Sequence, residues 1–560
     1  MLSETNSAGL LQYRYDELGN LQTLVLPDQR ELNHLYYGSG HLHQINLNGR
    51  VISDFERDAV HDEVLRTQGK LVTRTHYDSS GRLAGKAIHY RDAPVEVLPL
   101  LDKAYRYDAS DNLVAEVLTQ TQRRGMTNAA NDESAHLERI IGCFNDLPHT
   151  GKSYSGRNRY GYDLNEQLQT VQQSRPHWQA TQVEDFKYDK AGNLFDGPKL
   201  NGLIKHNRVL VYQDKRYRYD RFGRLCEKRI GSNWVQYFEY DAEQRLVCVE
   251  QYRSGERERV VFAYDPLGRR ISKEVYQKDY PEPHRRVLFH WQGLRLLQEV
   301  QSGLASLYVY ATPNSYEPLA RIDGRPGREA IHYLHTNLAG LPEQLTDSSG
   351  NTIWRAYYHG WGRKHDEWNC KQHAREQNFR YQGQYIDEET GLHYNVSRYY
   401  DPDIGRFTQK DTIGISGGIN LTTYGPNSLT YADPLGLAVE QIPYGHGLSQ
   451  SVINQRIIEG NFSAAKTNYA AIKYTLNGKE HIEVMRNTPG GLHSEEKLLA
   501  KYANRSELNI NEIYSERRPC PGCNSLVNRH SPKNTFSFQY SASGRSALQS
   551  ALSNIKTTIC

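Results

Sequence analysis

One short pattern governs what this chain can fold into: aromatic-x-Tyr-Asp-x-x-Gly-x-Leu. Clear copies, some with substitutions, start at Tyr13, Thr75, Tyr105, Tyr160, Phe186, Tyr217, Phe238 and Phe262, and weaker ones sit near Tyr37 and Arg57. Alternating aromatics suit a strand with one buried face. Asp-x-x-Gly suits a tight turn, because Gly supplies a positive φ and Asp bonds the local backbone. Leu then opens the return strand. A single hairpin is barely stable in water, so the copies must stack into a continuous sheet.

Composition agrees. At 560 residues the chain is too long for one ordinary domain. Mean hydropathy is −0.76, yet 11% of residues are aromatic and 40 are Tyr. Disordered chains are poor in aromatics, so the expectation is a folded, β-rich protein. The seven Cys form no disulfide framework, and Cys520 and Cys523 are their one close pair. The first 20 residues lack a basic and then apolar leader, and no 18-residue apolar run occurs. Neither a signal peptide nor a membrane span is expected. From Ala438 onward, 14 Lys and Arg face nine Glu and no Asp, a net of +5, while the whole chain carries +3. A basic tail favours a polyanionic partner; the plainer reading is a solvated basic surface.

The repeat resembles the YD repeats of the Rhs family, over roughly residues 10–437. HYLHTNLAGLPEQLTDSSGNTIWRAYYHGWGR (332–363), FRYQGQYIDEETGLHYNVSRYYDPDIGRFTQKDTIG (379–414) and NLTTYGPNSLTYADPLGL (420–437) resemble the end of the Rhs core. The resemblance implies a β-shell that encloses a C-terminal toxin. The expected organisation is a YD-repeat shell over 1–330, a core-end region over 331–437 and a toxin domain over 438–560. DPLGL (433–437) matches the motif after which such cores cleave themselves, which places the scissile bond at Leu437–Ala438. Asp433 and Asp411 would share the work as acid and base, with Arg406 as an orienting cation. On the residues alone, Asp-Pro and Gly equally end a last strand.

The tail changes character. SQSVINQRIIEG (449–460) reads as a Ser-capped helix. Residues 468–487 read as a hairpin turning at Asn477-Gly478, 493–504 as a helix, 509–516 as a strand, 519–530 as a helix, 535–541 as a strand and 544–555 as a helix. Strands alternating with helices imply an α/β/α layered domain with a partly parallel sheet. His493-Ser494-Glu495, followed by Pro519-Cys520-Pro521-Gly522-Cys523, supplies three zinc ligands and a carboxylate that is no ligand. Zinc deaminases of nucleobases need this set. Three protein ligands leave a fourth tetrahedral position for water. Glu495 would shuttle its proton.

HSEEKLL and IYSERRPCPGC resemble the deaminase superfamily of bacterial polymorphic toxins. That resemblance implies Zn2+ on His493, Cys520 and Cys523, cytosine in nucleic acid as substrate, and single-stranded DNA first. Arg517 and Arg518 would meet phosphates, and Tyr514 or Phe538 would stack a base, although both aromatics equally suit a core strand. It also implies a cognate immunity protein, delivery by type VI secretion or a toxin complex, and action in a target cell's cytoplasm. RNA or free nucleotides are the alternative substrates. Two other readings stay open: a shell or adhesion protein with a zinc-stabilised cap, and a structural zinc module with His530 as fourth ligand.

Overall fold

The computed structural model describes residues 2–121 and 153–436 with short interruptions. In the tail it describes 440–441, 467–476, 479–487, 493–502, 508–517 and 534–538, and three residues between 452 and 456. Leu437, Ala438, Arg518, Cys520, Cys523 and His530 lie outside the described residues, as do the helices expected over 519–530 and 544–555. Strands are numbered β1–β42 in chain order.

The fold is mostly β, as the repeats predict. β1 (Ser3–Asn6) to β14 (Gln182–Asp185) form a 14-stranded sheet, and β19 (Val211–Tyr212) to β33 (Lys364–Asn369) form a 15-stranded one. In both, sequence neighbours are sheet neighbours. The second sheet runs without a break through β30 (Ala330–Thr336), where the core-end region was expected to begin. Contacts divide the chain into two compact units. The first is Met1–Arg106, Leu113–Lys410 and Thr422–Gly436; the second is Tyr107–Asn112, Asp411–Leu421 and Leu437–Cys560.

The repeat has a definite local chemistry. At Asp265, the N–H groups of Leu267 and Arg269 donate to Oδ1 at 3.0 and 2.9 Å, and Arg269 Nε donates to Oδ2 at 2.6 Å. Asp220 and Asp241 make the same three bonds. The third residue after Asp is left-handed: Gly223 and Gly268 have φ of 85° and 78°. Where the repeat lacks Gly, Glu166 and Gln244 adopt the same conformation, at 62° and 65°.

The repeat tyrosine joins neighbouring repeats. The ladder shifts register at Tyr162 and Tyr240, opposite Leu168 and Leu246. The carbonyls of those leucines accept the hydroxyls of the next motif tyrosines, Tyr188 at 2.7 Å and Tyr264 at 2.5 Å. Tyr36 and Tyr162 repeat this on Leu21 and Leu113 at 3.1 and 2.8 Å. The bulge thus presents a carbonyl that the tyrosine satisfies.

β34 (Tyr385–Asp387), β35 (Leu392–Asn395), β36 (Arg398–Asp401) and β37 (Arg406–Phe407) form a small antiparallel sheet in which every residue is buried. Charges pin it to the 15-stranded sheet. Arg270 Nη1 lies 2.6 Å from Asp387 Oδ2, and Lys228 Nζ lies 2.8 Å from both Asp401 and Asp403. The Arg270 guanidinium also sits over the Tyr394 and Phe289 rings, at 4.4 and 4.5 Å.

In the second unit a five-stranded sheet has the order β38-β42-β41-β39-β40. β39 (Tyr469–Leu476) and β40 (Lys479–Arg486) are an antiparallel hairpin in which Leu476 pairs with Lys479, as the Asn-Gly signal requires. β41 (Leu508–Arg517) is antiparallel to β39 and parallel to β42 (Asn534–Phe538). β38 (Glu440–Gln441) adds a parallel edge that sequence reading missed, because two residues carry no periodicity. Helix α1 (Ser494–Tyr502) packs Leu498 and Leu499 against Ala470, Ile472 and Ile513. Among the described residues no helix is long and apolar enough to cross a membrane.

Tyr188→Phe leaves the Leu168 carbonyl without its donor and is expected to cost about 1–2 kcal/mol. Tyr37→Phe, on an exposed tyrosine, should stay within about 0.5 kcal/mol of the parent. Thermal unfolding of the two variants in parallel checks the difference.

Candidate active site

Strand parity sets the tail's site. Along β41, Ile513, Ser515 and Arg517 share one face, and Tyr514 and Glu516 the other. Ile513 packs with α1, whereas Tyr514 is wholly buried with Val452, Tyr469 and Ala471. Tyr514 is therefore a core residue on the face away from α1, and the expected base-stacking role does not fit its position. Glu516 shares that far face. It binds Arg456 Nη2 at 2.6 Å and the Tyr469 N–H at 2.9 Å, with Arg456 stacked 4.3 Å over the Tyr469 ring.

The α1 face holds the polar groups. His493 stands immediately before α1. Its N–H donates to Glu496 Oε2 at 2.8 Å, and its carbonyl accepts the Lys497 N–H at 3.0 Å, which is half of a capping box. This leaves Ser494 free to turn inward. Ser494 Oγ donates to Glu495 Oε2 at 3.0 Å, and Ser515 Oγ donates to Glu495 Oε1. Asn468, just before β39, donates from Nδ2 to Ser515 Oγ at 2.9 Å, to Ser494 Oγ at 3.2 Å and to Glu495 Oε1 at 3.4 Å. Asn468 Oδ1 accepts the Arg517 N–H at 3.2 Å and Arg517 Nε at 3.4 Å.

Glu495 is only 2% exposed. Burial pushes its carboxyl above the usual range, and the Ser515 and Ser494 hydrogen bonds and the His493 charge oppose that. A buried carboxyl with a raised pKa suits proton transfer. Arg517, expected to contact phosphates, is 8% exposed and engaged with Asn468. It belongs to the polar network under the site. Sequence reading missed Asn468, Ser494 and Ser515. Parity along β41 could have flagged Ser515; Asn468 carries no motif.

Among the described residues no three His, Cys, Asp or Glu side chains gather into a metal-holding group. His493 is the described member of the expected ligand set. Both oxygens of Glu495 accept hydrogen bonds from serine hydroxyls. One imidazole with two thiols is a donor set that fits zinc.

The hinge is built differently. The Asp433 carbonyl accepts Asn395 Nδ2 at 2.8 Å and the Gly436 N–H at 3.3 Å, and Asp433 Oδ2 lies 3.3 Å from Arg398 Nη2. Gly436 has φ of 68°, and a Cβ there would lie 2.8 Å from the Asn395 carbonyl, so only Gly fits. Asp411 is buried within the second unit, where its N–H bonds the Leu421 carbonyl at 2.8 Å. Arg406 was the expected orienting cation, yet it reaches Asn193 Oδ1 at 2.8 Å and the Asn207 carbonyl at 2.9 Å. The cation beside Asp433 is Arg398, on the neighbouring strand of the buried sheet.

A family model described as Teneurin YD-shell matches residues 106–430, and one described as Xanthomonas-like deaminase matches 465–555. The chain is 37% identical over 457 residues to double-stranded DNA deaminase toxin A of Burkholderia cenocepacia, covering 78% of this chain and 29% of that protein. It is 29% identical over 496 residues to toxin protein Tse5 of Pseudomonas aeruginosa, covering 79% and 35%. It thus spans about a third of the length of these relatives. A crystal structure of TcdB2-TccC3-Cdc42 shares the fold, with a TM-score of 0.52 at 19% identity over 76% of this chain and 21% of that one. The YD-shell model spans more than half of the sequence, so the chain belongs to the YD-repeat shell family in its Rhs form, with a C-terminal domain of the deaminase family.

Proposed function

We propose that this chain is an Rhs-type toxin whose C-terminal domain converts cytosine in DNA to uracil. One observation carries the reading. Within the segment matched by the deaminase model, the buried Glu495 carboxylate has both oxygens oriented by hydroxyls, two residues from His493. His493, Cys520 and Cys523 would hold zinc, which when bound would supply the Lewis acidity that makes water a nucleophile near neutral pH. Glu495 would take one proton of the attacking water and pass it to the ring nitrogen, then take the second from the new C4 hydroxyl and pass it to the leaving amine. Cytosine and water become uracil and ammonia. Single-stranded DNA is the favoured form, since its bases need not be flipped out of a stack. The similarity to the Burkholderia double-stranded DNA deaminase toxin makes duplex DNA the alternative.

The second part of the reading is release. Asp433 and Asp411 would act as acid and base on water attacking the Leu437 carbonyl, leaving a Leu437 carboxylate and an Ala438 amine. The clamp of Asn395 and Arg398 on Asp433 supports it. A toxin of this kind needs a cognate immunity protein in its producer, a delivery apparatus such as type VI secretion or a toxin complex, and a target-cell cytoplasm to act in.

Purified full chain given cytosine-containing oligonucleotides should form uracil, read by glycosylase cleavage, faster on single strands than on duplex. Glu495→Gln should reduce that rate by at least about 1000-fold, since it removes the proton carrier. Uracil formation unchanged by Glu495→Gln would count against the assignment. On a denaturing gel the wild-type chain should yield a fragment starting at Ala438, identified by N-terminal sequencing, and Asp433→Asn should stay intact. A fragment that persists in Asp433→Asn would refute self-cleavage by this pair.

A further inference from the structure

We propose that Asn468 is the positioning residue of this site: a single amide fixes both oxygens of the Glu495 carboxylate through the hydroxyls of Ser494 and Ser515. The inference rests on the deaminase reading above. The orientation of the amide is set by its other end. Asn468 Oδ1 faces two donors, the N–H and Nε of Arg517, so Nδ2 must face the serines. Its hydrogens go to Ser515 Oγ at 2.9 Å and Ser494 Oγ at 3.2 Å. A hydroxyl that accepts a hydrogen bond still has one proton to give. Both serines give theirs to Glu495, one to each oxygen. Oε1 also lies 3.4 Å from Asn468 Nδ2, whereas Oε2, met by the Ser494 hydroxyl, keeps a further lone pair for the proton it must carry.

The arrangement is also anchored. The Asn468 N–H donates to Asn487 Oδ1 at 2.8 Å and its carbonyl accepts the Asn487 N–H at 3.0 Å, which closes the open end of the β39–β40 hairpin. Asn468, Ser494, Glu495 and Ser515 are all buried, so the set is shielded from competing water. The Glu495 carboxylate therefore has one rotamer and one orientation before substrate arrives, which is what a proton shuttle requires.

Asn468→Asp is the sharpest test. It keeps the acceptor that holds Arg517 and replaces the two donors by an oxygen. Assayed as full chain on a single-stranded cytosine oligonucleotide, it should lower kcat by about 100-fold. KM should stay within about threefold, and zinc content should match wild type. Ser515→Ala, a milder change, should lower kcat by about 10-fold, and Asn468→Ala combined with Ser515→Ala should lose no more than Asn468→Ala alone. Independent, multiplying losses would mean that Asn468 acts on folding and not through Ser515, and would overturn the proposal. A kcat for Asn468→Asp within about threefold of wild type would overturn it while leaving the deaminase reading intact. A wild-type chain that forms no uracil would remove both.

Discussion

The structure depends on one hydrogen bond made again and again: a repeat tyrosine's hydroxyl onto the leucine carbonyl that an earlier repeat's bulge presents. Asp-x-x-Gly closes each hairpin by itself, but a closed hairpin has no reason to stand beside the next one. The tyrosine supplies that reason. Its ring fills the inner face, and its hydroxyl satisfies a leucine carbonyl, beside a register shift at Leu21, Leu168 and Leu246 and likewise at Leu113. Stacking is thereby specified locally, repeat on repeat, as in other repeat proteins whose stability is carried by neighbour interfaces.

The small sheet formed by β34–β37 depends on that regularity. Its charged residues are wholly buried and would be costly without partners. Arg270, Lys273 and Lys228 project from the second sheet to meet Asp387, Glu389 and Asp401. The same small sheet then places Asn395 and Arg398 on the Asp433 turn. A straight line of contacts thus runs from the repeat array to the hinge, without any residue of the hinge needing to be special in its own sequence neighbourhood.

Much of this was legible in the chain and some was not, for physical reasons. The Asp-x-x-Gly turns were readable because their bonds stay within five residues. The β39–β40 hairpin and α1 were readable from Asn477-Gly478 and from the apolar spacing around Leu498. The tyrosine link was not, since its partner lies 15 to 49 residues away. Arg398 carried no signal beside the expected Arg406, because only pairing between strands decides which arginine lies beside Asp433. For Tyr514 the sequence leaves base stacking and a core strand position both open; alternation along β41 sends it into the core on the face away from α1. Asn468 stands 27 residues before Glu495, and only the packing of α1 on the paired strands β39 and β41 brings the two together.

The central claim is that Glu495 moves protons for the deamination of cytosine in DNA. Its most direct test is sequencing of the genomes of bacteria that briefly express the full chain, beside bacteria expressing Glu495→Gln. The account predicts C·G-to-T·A transitions spread through the genome in the first culture and a background level in the second. Growth arrest without such transitions, or transitions at equal frequency in both cultures, would contradict it.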